Sequence, residues 1–470
     1  MHAEQPTHRN LSQMDAAREF EKYAPRIEQL AHHFGLDYYP VDFEVVPTSF
    51  MMEVAVYGLP VRMPHWSFGV RYIHQLIRQS MGHSRIFEVM FPGDPCHGYL
   101  VDTNTSAENT LVTAHVLGHA DFAKNNQLFA RFQEMAGTNI VEHAAAQAHR
   151  IEAAVREHGT HRVEALLDAA LALEPHVDIN GELHRAPYPS RSSEPPKAET
   201  TDAFAERYKG LPGEKSGAPQ TEPPKRPPVP PHPEYDLLWF IAHYGPELED
   251  WERDVFLAVR EESFYFYPVF ACQIMNEGWA TYWHARLLRE ADFLPENVYL
   301  DAIKVHSDVV RPFAADQQAA LAVNPYHLGF CMWEHIVEKQ GLEKAREIRR
   351  EEDDFGFVRN YLEPELAGRL GLFVYEAQRD GEIKVTDRKI NAVREAILHP
   401  KFNYGAPRIY VAEMRHDGTL VLNHDHAQDG RGLDLERASR VLHYVARVWR
   451  RPVVLHTVDG RGSPRELHAD

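Results

Sequence analysis

His115 and His119 stand four residues apart in "TLVTAHVLGHADFAKNN" (Thr110 to Asn126), a separation that puts two imidazoles on one helix face within reach of a single ion. Zinc hydrolases use this spacing as His-Glu-x-x-His, where the Glu takes a proton from water at the metal. Here that Glu position is Val116. The spacing alone carries little, because chance predicts about two such pairs among 29 His and the chain has one. Leu111 and Phe122 share the stripe, so the pair points inward, where an unpaired imidazole is costly. Two readings stand: half of a metal site, or two core histidines bonded to carboxylates.

A third ligand comes from "MNEGWATYWHARL", where Glu277 and His284 lie two turns apart on one helix face. A carboxylate among Trp279, Tyr282 and Trp283 needs a partner. Glu277 therefore completes a His115–His119–Glu277 set with an open fourth position, the arrangement of a catalytic zinc rather than a closed structural one. The expected cofactor is a divalent metal, zinc first. His284 is expected beside a ligand or in the core, and Asp121 is expected to support a ligand imidazole. Because Val116 cannot act as a base, the sequence nominates Glu262 first and His306, in "IKVHSDVV", second. For Glu261 and Glu262 a solvated helix face is the competing explanation.

These residues need elements to hold them. The first 30 or so residues read as helical, followed by β-like runs "VDFEVV" and "MMEVAVYGLPV". "SRIFEVMF" and "CHGYLVDT" flank "PGDP" as a hairpin, which leads into helices over about 107–137 and 140–173. Thirteen prolines between Pro187 and Pro233 mark a linker or disordered insertion, expected to be partly of polyproline II character. The stretch beginning "DLLWFIAHY" is helical, with interruptions at Pro246 and Pro268. From about Leu372, "LFVYEA", "VTDRKINAVREAILH", "RIYVAEMRHDGTLVLNH", "LDLERASRVLHYVARVW" and "RPVVLHTV" give a β-α-β-β-α-β order.

The bulk properties exclude several classes. A net charge of −19 repels nucleic acid and anionic lipid, so neither is an expected partner. The longest aromatic-rich uncharged run, "SFYFYPVFACQIMN", contains Pro268 and falls short of the roughly 20 apolar residues of a membrane span. Cys96, Cys272 and Cys331 are odd in number and far apart, which suits a reducing compartment. The amino terminus has no apolar h-region, so a cytoplasmic location is expected.

"HWSFG" (His65 to Gly69), "AHVLGHADFAKNN", "VREESFYFYPVFACQIMNEGWATYWH" and "NPYHLGF" (Asn324 to Phe330) occur in an order that resembles the SpoVR family, the stage V sporulation protein R-like proteins. The resemblance runs from about Ala16 to Val458, and the Pro-rich insertion departs from it, where a shorter connection is expected. It implies a cytoplasmic bacterial protein with a role in spore cortex formation, or in stress adaptation alongside a PrkA-type serine protein kinase. The family's motif histidines fall on His115 and His119, and its Asn-Glu-Gly-Trp motif on Asn276 to Trp279. His65 and Tyr326 are motif positions that could contact substrate. For the start of "NPYHLGF", capping by Asn324 with Pro325 at the first helical position is the local structural alternative.

The expected fold class is α+β: a mainly helical, zincin-like metal-binding domain preceded by a small β-sheet and followed by a C-terminal ferredoxin-like (βαββαβ) domain. The expected divisions are 1–185, the Pro-rich 186–233, 234–370 completing the metal site, and 371–470. Three functions compete. One is a zinc-dependent hydrolase of a peptide or amide bond, in a peptide or a cell-wall precursor. Another is a metal-stabilised scaffold acting with a kinase. A carboxylate-bridged di-iron protein is the third, and it lacks the paired Glu-x-x-His motifs such proteins use.

Overall fold

The computed structural model describes residues 22–59, 61–80, 87–136, 139–188, 228–312, 323–377 and 383–470. The first 21 residues, and 189–227 of the Pro-rich segment, lie outside the described residues. The chain forms two units, each assembled from two stretches: Met1–Leu167 with Ala258–Ala406, and Asp168–Leu257 with Pro407–Asp470.

In chain order the elements are α1 (22–33), β1 (Val41–Val46), α2 (Thr48–Tyr57), α3 (Trp66–Ser80), β2 (Glu88–Phe91), β3 (Cys96–Val101) and α4 (Ser106–Asn125). Next come α5 (Gln127–Ala136), α6 (Ile140–His158), α7 (Thr160–Ala172), α8 (Gly181–His184), α9 (Leu237–Tyr244), α10 (Asp250–Ala271) and α11 (Gln273–Glu290). The chain continues through α12 (Glu296–Val309), α13 (Pro325–Gln340), α14 (Leu342–Glu351), α15 (Asp354–Tyr361), α16 (Pro364–Arg369), β4 (Val374–Ala377), β5 (Ile383–Asp387) and α17 (Ile390–Leu398). It ends with β6 (Ile409–Met414), β7 (Leu420–His424), α18 (His426–Asp429), α19 (Leu435–Trp449), β8 (Val453–Val458) and β9 (Pro464–Ala469). The described residues are mainly helical, with small sheets, and none of their helices is long and apolar enough to cross a membrane.

α4 is the axis of the first unit. Thr105 and Glu108 form a reciprocal capping box at its start, with Glu108 N to Thr105 Oγ1 at 3.2 Å and Thr105 N to Glu108 Oε2 at 2.7 Å. Asn126 ends it and caps α5, its side-chain oxygen accepting from Leu128 N and Phe129 N. The sequence reads as an amphipathic helix, yet every residue from Ala107 to Ala123 is buried. Such a helix lies inside a core rather than on one. Its hydroxyls are satisfied locally, Thr110 and Thr113 donating to the carbonyls of Ser106 and Asn109.

Two close crossings set the spacing around it. A Cβ at Gly118 would lie 2.7 Å from Ala280 Cα, so α4 and α11 meet backbone to backbone there. A Cβ at Gly278 would lie 2.3 Å from the carbonyl carbon of Gly329, so α11 and α13 do the same. Trp279, Trp283, Trp333, Phe122 and Phe357 fill the surrounding volume, fully buried. Each contributes about 1.5–3 kcal/mol by leaving water. Asp354, held by Lys401 at 3.2 Å, caps α11 from α15 by accepting from Ile274 N and Met275 N at 2.9 Å each.

The predicted hairpin is present, β2 pairing antiparallel with β3. β1 adds in parallel on the other side, giving the order β1-β3-β2. Met51 to Tyr57, read as β-like, is helical in α2. Pro47 opens that helix, Gly58 closes it at φ 80°, and Met51, Met52 and Val54 are its buried side. The break expected at Pro268 falls four residues later, and α10 runs through the proline.

The second unit carries a four-stranded sheet of order β6-β7-β8-β9, antiparallel, parallel and antiparallel in turn. The βαββαβ arrangement expected from the sequence is not this one. Its first strand, Val374–Ala377, pairs instead with Ile383–Asp387 in a separate two-stranded ribbon. The first three residues of the predicted helix, Val385 to Asp387, therefore belong to β5. β9 was not anticipated, because "PRELHA" is a polar edge strand with little hydrophobic alternation.

Candidate metal centre

α4 and α11 bring the predicted ligands together. His115, His119 and Glu277 each offer one donor atom, and these lie within 4.8 Å of one another. His115 Nε2 and His119 Nε2 are each 3.5 Å from Glu277 Oε2. Tetrahedral zinc with ligand bonds near 2.0–2.1 Å separates neighbouring donor atoms by about 3.3 Å. The three donor atoms are close enough together to hold one metal ion.

Two of these atoms, His115 Nε2 and Glu277 Oε2, are buried and make no hydrogen bond among the described residues. An orphaned buried polar atom costs about 1–3 kcal/mol, and two aimed at one point are what a cation would satisfy. Their neighbours fix them. His119 Nδ1 donates to Asn276 Oδ1 at 2.9 Å, which leaves Nε2 bare. His115 Nδ1 lies 2.9 Å from His284 Nδ1. The Tyr326 ring stacks over His115, centroids 6.0 Å apart, and Glu277 is the main influence on its hydroxyl.

Burial opposes the Glu277 carboxylate, but His119 and His115 outweigh it and hold the group below its ordinary range. Burial lowers His119, and Glu277 more than restores it, so the group lies above the ordinary histidine value. Burial and the neighbouring His119 push His115 down to about 4. The Tyr326 hydroxyl is raised well above its ordinary value, chiefly by Glu277, and stays a donor.

Glu88 is a fourth group that the sequence reading did not find. It projects from β2, with Oε1 3.9 Å from His115 Nε2 and a side chain 16% exposed. Burial pushes its carboxyl up to about 7, with His119 opposing and Glu277 reinforcing. The signal available was a lone Glu in "FEVMF" on a hairpin strand leading to the His-x-x-x-His helix.

Other nominated residues lie elsewhere. Glu262 is on α10, buried and ion-paired with Arg62 at 2.7 Å, outside the cluster. His306 reaches the cluster only through His284, whose Nε2 is 2.7 Å from His306 Nδ1. Asp121 supports no ligand imidazole. It accepts instead from Asp37 N, Trp279 Nε1 and the Arg349 guanidinium, tying α4 to α11 and α14. His65 caps α3, its Nδ1 accepting from Ser67 N at 3.3 Å. Asn324 caps α13 through Tyr326 N, so the local reading of "NPYHLGF" holds, while the Tyr326 ring still reaches the cluster. Val116 is fully buried and faces β3, where a Cβ at Gly98 would lie 3.3 Å from its Cγ1.

Against known families, residues 15–405 match the model described as SpoVR like protein, and residues 407–460 match the SpoVR-like C-terminal domain. The boundary between the two matches coincides with the start of the last stretch of the second unit, Pro407–Asp470. Among curated proteins the chain is similar to an "Uncharacterized protein YcgB" of Escherichia coli (strain K12). The two are 27% identical over 485 residues, covering 94% of this chain and 92% of the relative. No solved structure matches the chain.

Proposed function

The chain belongs to the SpoVR family, and we propose that its buried cluster holds one zinc ion and hydrolyses a peptide or amide bond. The observation that carries this reading is the convergence of His115, His119 and Glu277 on one point with a second carboxylate, Glu88, beside it. Zinc bound there would act as a Lewis acid, polarising a carbonyl and acidifying water. His115, His119 and Glu277 hold it, and Tyr326 and Asn276 orient the ligands. Glu88 takes over the proton transfer that Val116 cannot perform, and its place beside the ligands makes it a better candidate than Glu262.

The substrate class follows from β2. Among the described residues this strand pairs only with β3, so its other edge can accept an extended chain by strand addition. A backbone carbonyl laid along β2 would pass Glu88. A peptide or a peptide-bearing cell-wall precursor fits that edge. The family resemblance adds a role in spore cortex formation or stress adaptation in the cytoplasm, alongside a PrkA-type serine protein kinase.

A second reading is a metal-stabilised scaffold for such a kinase. The burial of α4 on every side favours it, since an ion at that depth would also fasten the core. Metal analysis of full-length protein purified without chelator, followed by mass spectrometry of a peptide library, tests both. One zinc per chain, with cleavage lost in Glu88→Gln while zinc is retained, supports the hydrolase. Zinc without any cleavage points to the scaffold, and no zinc refutes the centre.

A further inference from the structure

Three imidazoles run in single file away from the cluster: His115 Nδ1 to His284 Nδ1 at 2.9 Å, then His284 Nε2 to His306 Nδ1 at 2.7 Å. They come from α4, α11 and α12. The first two are buried and the last is partly exposed, its ring against Phe330. Burial lowers all three below the ordinary histidine range, with Arg289 adding to the effect at His306. Each of the two short N···N contacts has room for one hydrogen.

A neutral imidazole carries one N–H and one bare nitrogen. Each short contact needs one hydrogen, so the file has only two arrangements. In the first, His115 Nδ1 donates to His284, His284 Nε2 donates to His306, and His306 keeps its proton on Nε2. His115 Nε2 is then bare. In the second every donor is reversed, and His115 Nε2 carries a proton facing Glu277 Oε2 at 3.5 Å.

We infer that His284 and His306 are positioning residues that set which nitrogen of His115 faces the centre, and that ion uptake reverses the whole file. The inference rests on the metal reading above. A cation takes only the bare nitrogen, so uptake selects the first arrangement. Without the ion, the Glu277 carboxylate draws the proton to His115 Nε2 and selects the second. On reversal one proton leaves His115 Nε2 and one is gained at His306 Nε2, so three N–H groups are conserved. His306 Nε2 changes from acceptor to donor, and occupancy of the buried centre is registered at a partly exposed ring.

The test uses full-length protein with 15N-labelled histidine, titrated with zinc and followed by long-range 1H–15N correlation, His306 being assigned by its loss in His306→Gln. The expected result is a change of His306 from the Nδ1–H to the Nε2–H tautomer, complete at one equivalent. His306→Leu should raise the zinc Kd about 10–100-fold, the usual effect of losing a group behind a ligand. His306→Gln, whose amide oxygen can still accept from His284 Nε2, should restore binding toward wild type. Zinc uptake with an unchanged His306 tautomer, or a His306→Leu Kd equal to wild type, overturns the relay and leaves the metal reading standing. No zinc uptake by wild type overturns both.

Discussion

Glu88→Gln separates the charge of the fourth group from its shape. Gln keeps the size of the side chain and its place on β2, and removes the ionisation. In the metal-free protein burial is the main cause that lifts the Glu88 carboxyl from 4.5 to about 7. A raised carboxyl contributes stability that is fully present below its unfolded value and is lost as the pH climbs through the folded one. Wild type should therefore weaken between about pH 4.5 and pH 7, relative to Gln, which does not titrate. At about 1.4 kcal/mol per pH unit the ceiling is about 3 kcal/mol at pH 8. Urea unfolding of chelator-treated wild type and variant at pH 5 and pH 8.5 reads this directly. The variant should gain about 2–3 kcal/mol on wild type between the two pH values. With zinc added the sign should reverse at pH 8.5, because the cation then compensates a charge that only wild type has. Parallel pH profiles for the two metal-free proteins would refute both the burial of this carboxyl and its place beside the ligands.

His115→Ala, His119→Ala and Glu277→Gln should each weaken zinc binding at least about tenfold by competition with a chromophoric chelator. Full affinity in any one removes that residue from the ligand set. Gly278→Ala forces a methyl against the Gly329 backbone; it should cost roughly 1–3 kcal/mol in a thermal melt and displace Glu277 enough to lower zinc uptake. Gly368→Ala, where a Cβ meets nothing within 4 Å, is the control and should be neutral or stabilising. Asp121→Ala leaves the Arg349 guanidinium buried without its carboxylate and should cost about 3–5 kcal/mol in denaturant melts. An unchanged melt would mean that the Asp121 network does not tie these helices.

The His115–His119–Glu277 cluster was legible because helix geometry is local. Two histidines four residues apart on α4, and one glutamate in an aromatic helix, constrain the answer without any knowledge of the fold. Glu88 was not legible, since its direction depends on the register that sets it opposite Leu100, and a slip of one residue would turn it away. The same limit explains Glu262. Its position two turns before Pro268 says nothing of Arg62, which is 200 residues earlier and claims its carboxylate. Asp121 was given the wrong neighbour for a related reason: adjacency to His119 in sequence is less informative than its side of α4, which faces Trp279 and Arg349. In the C-terminal part the elements were largely readable while their partners were not. "LFVYEA" is a strand, but it pairs within its own ribbon.

The interleaving of the two units has a consequence for synthesis. The ribosome delivers the first stretch of unit one, then the first of unit two, then the remainder of each. His115 and His119 emerge more than 150 residues before Glu277, so at roughly 5–20 residues per second the centre waits many seconds for its carboxylate. The second unit waits longer still. Glu234 exchanges backbone hydrogen bonds with Val411 at 3.1 and 2.8 Å, and that partner arrives only after the helical unit has been made. A fragment stopping at residue 405, although it matches a family domain nearly end to end, would leave Glu234 without its strand and 168–257 without a sheet to join. The two halves defined by sequence matching are thus poor units for separate expression. Co-expressing 1–406 with 407–470 as two chains is the division that should restore solubility.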